Sequence, residues 1–313
     1  MLRFFAKWGY LPLAGLVVSL ALASPNAHAV QLAIVLSDDS APYQEVYEAI
    51  KARADDHDIT VSRLYADAAS EAALNAKLIV VVGVRAAESV ASIAGQSPVL
   101  AVLVPKDWYR KTGRQRLAGN EHRPVSAIYL DQPYERQARL IHLAFPNAKR
   151  VGVLVSAAQL AVSEDIGAAL RAQGLTLVAE VLEPGQKLIE PLEKVLSMSD
   201  LMLAVPDPEV FNRNTAQSVL LTSYRYRDPV LGYSRSLARA GALLALYSSP
   251  AQIGRQAAEL IVKQMETPSS HLPDPAHPRY FSVAVNQQVA RSLGFELAPE
   301  AELERRLEGK NND

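Results

Sequence analysis

Cysteine is absent from the chain. That excludes disulfides, thiolate metal sites, a nucleophilic thiol and a lipid-modified cysteine, so buried apolar cores alone must hold the fold. An excess of one charge is also absent. Thirty-two Lys+Arg stand against 33 Asp+Glu, which gives no footing for nucleic acid or an anionic membrane surface. There is no Gly-x-Ser-x-Gly elbow, no P-loop and no Gly-x-Gly-x-x-Gly, the local devices of hydrolases, NTPases and dinucleotide enzymes. His57, His122, His142, His271 and His277 are scattered without metal-ligand spacing, and no pair of carboxylates is singled out. The expectation is a protein that is not an enzyme and carries no cofactor or metal.

Long apolar runs are lacking except for one. Leu11 to Ala23 follows Arg3 and Lys7, and leads through Ser24-Pro25-Asn26 to Ala27-His28-Ala29. A basic start, a short apolar stretch and a small-x-small site together make a secretory signal over 1–29, too short for a comfortable permanent span. Cleavage there leaves 284 residues beginning near Val30, with 30 Lys+Arg against 33 Asp+Glu. The expected location is the Gram-negative periplasm, soluble and not lipidated, where no ATP or NAD(P)H is supplied.

The body alternates short apolar runs with helical periodicity, the pattern of βα units on a mainly parallel sheet. Strands are expected at Val30–Leu36, Ile59–Leu64, Leu78–Val82, Val99–Val104 and Val125–Leu130. Tyr43, Val46, Tyr47 and Ile50 recur at i, i+3, i+4, i+7, one face of a helix. Pro105–Arg123 reads as a loop. Asp131-Gln132-Pro133 starts a helix, and a second set of units opens with the strand Val151–Val155. A helix is expected from Asp207 to Tyr224, strands at Val230–Tyr233 and Ala242–Leu246, a helix from Pro250 to Met265, and a charged tail from Glu300 to Asp313 with a frayed end. Two α/β sets with a returning coda predict two hinged lobes. One comprises 30–131 plus about 237–272, the other 132–236 plus about 273–313. Ligands of such sheets bind outside the carboxyl ends of the strands.

Several ordered segments carry a family resemblance: Asp228-Pro229-Val230-Leu231-Gly232-Tyr233-Ser234, then Gly241-Ala242-Leu243 with Ile253-Gly254-Arg255-Gln256-Ala257-Ala258-Glu259-Leu260. Val285-Asn286 with Ala290-Arg291-Ser292-Leu293-Gly294-Phe295 and Pro146–Leu154 add to them. The chain resembles the ABC-transporter substrate-binding proteins whose better-known members bind tryptophan or tyrosine. The resemblance implies a type I periplasmic-binding-protein fold, a small-molecule ligand in an interlobe cleft, and an ABC permease and ATPase as partners. The first lobe departs from the family pattern: Ser126-Ala127 stands where members carry Thr-Gly, after a longer Pro105–Arg123 segment.

Candidate ligand residues lie in loops that follow the strands. Ser37, Asp38 and Tyr43 join the first strand to the first helix, where hydroxyls and free N–H groups suit a carboxylate and the aspartate suits an amine; plain helix capping is the alternative. Gly83 lets the backbone approach a ligand or else simply makes a tight turn, and Arg85 beside it suits an anion. The Pro105–Arg123 segment has six basic residues against two acidic ones, with Trp108 inside it. That mixture suits an anionic or aromatic solute, or else a solvated loop with a tucked tryptophan. In the second lobe the candidates are Ser156, Asp207 (a cap or a ligand group), Tyr233 and Arg235, an arginine placed to take a ligand carboxylate bidentately or else to form a salt bridge within the hinge. The expected protein is a monomeric receptor of a small, anionic or aromatic, amino-acid-like ligand that serves a permease, with an outer-membrane transporter as a further partner. A sensor or adaptor of the same fold, signalling without transport, is the alternative.

Overall fold

The computed structural model describes residues 31–71, 74–120, 123–267 and 271–309; the signal expected over 1–29 lies outside them. The first sheet contains β1 (Leu32–Leu36), β2 (Val61–Tyr65), β3 (Leu78–Val82), β4 (Val99–Val104) and β5 (Val125–Tyr129), all parallel, in the order β2-β1-β3-β4-β5. β1, β3 and β4 are buried at every position, which is why they read as unbroken aliphatic runs rather than alternating ones. Helix α1 (Ala41–Asp55) covers one face. On the other face lie α2 (Val84–Ala91) and a helical segment made of α3 (Lys106–Trp108), a π-turn at Tyr109–Gly113 and α4 (Arg114–Ala118).

The second sheet repeats this plan. It comprises β6 (Arg150–Ser156), β7 (Thr176–Leu182), β8 (Leu201–Leu203), β9 (Val230–Gly232), β10 (Leu244–Tyr247) and β11 (Ser282–Val285), in the order β11-β10-β9-β8-β6-β7. Only β11 runs antiparallel to its neighbour. Helices α5 (Tyr134–Ala144) and α6 (Val162–Arg171) pack on one face, and α7 (Ile189–Met198), α8 (Ala216–Tyr226) and α9 (Arg235–Ala240) on the other. α10 (Pro250–Glu266) returns to α1 in the first lobe, and α11 (Gln287–Leu293) and α12 (Glu300–Glu308) close the second. Among the described residues no helix is long and apolar enough to cross a membrane.

Four expectations are corrected. The chain does not return to the first lobe at about 237: α9 and β10 belong to the second, where Leu244 pairs with both Leu231 and Val285. The return begins with α10, whose Ser249–Gln252 capping box fixes its start. Nor does it leave at 273, because Ala276 still bridges Ile128 at the edge of the first sheet. The Pro105–Arg123 segment is largely helical. The helix expected from Asp207 begins only at Ala216, because Asn212 Oδ1 accepts from Asn214 N (2.8 Å) and Thr215 Oγ1 donates to Val210 O (2.8 Å), local bonds that compete with helical ones. From Glu300 the charged tail forms α12. Leu303 and Leu307 are fully buried, while Glu304 and Glu300 accept from Val283 N (2.8 Å) and Val285 N (2.7 Å). These glutamates satisfy the outer N–H groups of edge strand β11, which would otherwise be open to another strand.

Candidate functional site

Residues at or beyond the carboxyl ends of β1, β4, β5, β8, β9 and β10 enclose a cavity of about 760 Å³ between the lobes, including Tyr43, Leu103, Leu130, Tyr233, Arg235 and Tyr247. This is where open parallel sheets hold ligands. Two other concavities, of about 770 and 940 Å³, lie at the amino ends of β3 and β4 and are lined by the first lobe alone. The cleft is the stronger candidate because both lobes contribute to it and groups of opposite charge meet there.

Three crossings join the lobes behind this cavity, and their polar groups are tied to one another. Gln132 Nε2 donates to Ser248 Oγ (2.7 Å), and the Ser248 hydroxyl donates to Tyr280 O. Arg136 Nη1 donates to Gln132 Oε1 (2.7 Å) and Pro278 O (2.9 Å), with its guanidinium 4.4 Å from the Phe281 ring centroid. Burial lowers Arg136 to about 10. His277 Nδ1 meets Asp131 O at 2.8 Å, and Lys106 N donates to Asp131 Oδ2 (2.6 Å). Burial raises Asp131 and lowers His277, each away from its charged form. The hinge therefore consumes the polar groups of Gln132 and Ser248. Among the described residues the hydroxyls of Tyr43, Tyr134, Tyr233 and Tyr247, all on the cavity wall, make no hydrogen bond.

Of the residues expected to bind, Tyr43, Tyr233 and Arg235 are brought together on the wall. Tyr233 stands edge-on to Phe211, with centroids 6.2 Å apart, and burial raises its hydroxyl pKa. Ser37, Gly83, Ser156 and Asp207 lie beneath the site. Ser37 Oγ donates to Val82 O (2.9 Å) and accepts from Ala86 N (3.1 Å). Gly83 has φ +86°, and a Cβ there would lie 2.7 Å from the Tyr43 ring, so its missing side chain is what lets that ring lie over the strand ends. Asp207 is buried and accepts from Ser156 N (2.6 Å) and Glu209 N (3.0 Å), which ties the two loops together; the helix it was expected to cap starts only at Ala216. Asp38 and Arg85 are exposed off the wall. Ser40 hydrogen bonds hold Asp38 below its ordinary value, with a smaller contribution from Arg85.

Trp108 is not brought to the cleft. Its ring covers Gly113, where a Cβ would lie 2.4 Å from ring carbon Cζ3, and it packs against the first lobe's core. Trp108→Ala is therefore expected to lower the melting temperature by several degrees, a loss of about 2–3 kcal/mol, with ligand affinity unchanged. A calorimetric titration showing lost affinity at intact stability would return Trp108 to the site.

Residues the sequence did not flag include Leu130, Tyr134, Tyr247 and Leu103. Tyr134 and Tyr247 carried a usable signal, because both sit where the chain changes lobes. Leu103 carried none. It has φ +55° at an irregularity between β4 and β5, a conformation that an ordinary side chain adopts only when its surroundings force it and that concentrates at functional sites.

The molecule has the two-lobed α/β architecture of type I periplasmic binding proteins, with a ligand-sized cleft at the strand ends. The family model for ABC transporter substrate binding protein matches residues 73–303, and the chain belongs to that family. No curated protein sequence matches it. Solved structures share the fold at low identity. A ligand-free, open structure of CD0873, a substrate binding protein with adhesive properties from Clostridium difficile, has TM-score 0.70 and 15% identity over 88% of this chain and 97% of that one. The ABC domain in complex with L-Trp from Streptococcus pneumonia has TM-score 0.59 and 16% identity over 88% and 98%. A conserved domain protein from Vibrio cholerae has TM-score 0.60 and 18% identity over 88% and 98%.

Proposed function

We propose that this substrate-binding protein is exported by its 1–29 leader to the periplasm, where it captures a small amino-acid-like ligand with a flat apolar body and presents it to the permease and ATPase of an ABC transporter. One observation carries the reading of the ligand. Four tyrosines surround the cavity, with one cation, Arg235, on the second lobe and the carboxylates Glu45 and Asp131 on the first lobe and hinge. Flat rings suit a flat ligand, and opposite charges at the two sides suit a zwitterion. Tyr43, Tyr233 and Arg235 are the proposed contacts, while Ser37, Gly83, Ser156 and Asp207 position the loops that present them. The L-Trp seen in the pneumococcal neighbour agrees with this class of ligand.

The test starts from small molecules released on denaturing the purified protein and identified by mass spectrometry, alongside a thermal-shift panel of amino acids, nucleosides, organic acids and metal chelates. The expected result is one stabilising class containing both a ring and a carboxylate. Tyr233→Ala should then weaken binding by about 10- to 100-fold, as for a buried aromatic anchor. A panel with no shift, or a Tyr233→Ala protein that binds as well as the wild type, would sink the proposal.

A further inference from the structure

On the other side of the Asp131–Gln132 crossing lies a second, smaller gap of about 140 Å³. Lys106 and Arg110 of the first lobe line it, as do Gln159 and Asp165 of the second. Asp107, also on its wall, is already engaged with Lys111 at 2.9 Å. Asp131 between the lobes accepts from the backbone of Lys106. Tyr134 reports how close the lobes' charges come: its hydroxyl is raised by burial first, then by Asp131, Asp165 and Asp107. Among the described residues Lys106, Arg110 and Asp165 make no ion pair. Two cations on one lobe thus look across a narrow gap at an unpaired carboxylate on the other.

We propose that Arg110, supported by Lys106, forms an interlobe latch with Asp165 when the lobes close. The inference rests on the capture reading above, since only a closing cleft brings the two sides together. None of the three residues lines the larger cavity, so the latch sets the balance between open and closed forms without touching the ligand. Closure narrows the gap and removes water from it, which strengthens the attraction over that of two exposed charges. Opening restores the solvation of both sides, so the pair biases the equilibrium and leaves it reversible.

The absence of cysteine allows clean labelling. Asp39→Cys and Arg239→Cys place one nitroxide on an exposed position of each lobe, and pulsed dipolar spectroscopy reads the populations of short and long distances in the free protein. Asp165→Lys is expected to lower the closed-to-open ratio about fivefold, and the Arg110→Glu/Asp165→Lys double variant to restore it. In the wild type the ratio should fall between about 0.01 M and about 1 M salt, where screening shortens from about 30 Å to about 3 Å. Asp165→Asn, which spares the first turn of α6 a reversed charge, should fall between wild type and Asp165→Lys. Distances that respond to neither salt nor reversal overturn the latch. Thermal shift separates the two ideas. Ligand-induced shifts with unresponsive distances leave capture standing and remove the latch. Responsive distances without a shift from any ligand do the reverse.

Discussion

Gly254→Leu is expected to destabilise the first lobe by about 3 kcal/mol or more, read as an early transition in urea unfolding. A Cβ at this position would lie 2.8 Å from Ala49 Cβ, 2.9 Å from Val46 O and 3.0 Å from Val46 Cα. The obstacle is the backbone of α1, which cannot move aside as a flexible side chain can. α1 and α10 approach so closely because Gly254 offers no side chain there, and around it Ile253, Ala257, Ala258 and Ile261 join α1 residues in one buried cluster. Gly254→Ala should already shift the midpoint in the same direction. A wild-type midpoint for both variants would mean that α1 is free to slide, and the account of this contact would be wrong.

Asp228→Asn is expected to stabilise the protein at neutral pH and to remove a specific pH dependence. Asp228 is 3% exposed. Its Oδ2 accepts from Ser199 Oγ at 2.6 Å, while Oδ1 has no partner among the described residues. Burial pushes the carboxyl up to about 7, the Ser199 bond opposes it in part, and Asp200 adds a still smaller upward push. The folded chain therefore holds this proton more tightly than the unfolded chain does. The associated stability is complete below about pH 4 and declines as pH rises through about 7, after which it stays lost. The loss is on the order of 4 kcal/mol. An asparagine keeps an acceptor for Ser199 and carries no charge, so the wild-type and variant curves of unfolding free energy against pH should diverge between about 4 and 7 and run parallel above. Parallel curves throughout would show that Asp228 stays ionised in the folded state.

Asp228 also shows how far the sequence could be read. It opens the Asp228–Ser234 segment that marks the family, yet its side chain lies buried under Ser199 ahead of β9 and does not line the interlobe cavity. The Gly254–Leu260 segment behaves alike. Gly254 serves helix contact. Gln256 accepts from Arg279 N at 2.6 Å, and Glu259 accepts from Tyr280 Oη at 2.7 Å, tying the third crossing to the first lobe. Both segments identify the family correctly, but the work of these residues is architectural.

What the sequence determined by itself is the periodicity-borne part of the protein. Fully buried strands such as Leu78–Val82 and Val99–Val104 and the amphipathic helix after Pro42 follow from local apolar spacing, and so do the two-set α/β plan and the absence of thiol chemistry. The tertiary structure alone decided which lobe each late element joins. β10 pairs in the second sheet while α10 packs on the first, a choice set by edge pairing and by one glycine contact far away in sequence. It also decided that Trp108 turns inward over Gly113, while Leu103, Leu130, Tyr134 and Tyr247 reach the cleft. Spacing along a chain shows which face of an element is apolar. Which neighbour that face meets depends on contacts that local spacing does not carry, and from those contacts the cleft between the lobes is built.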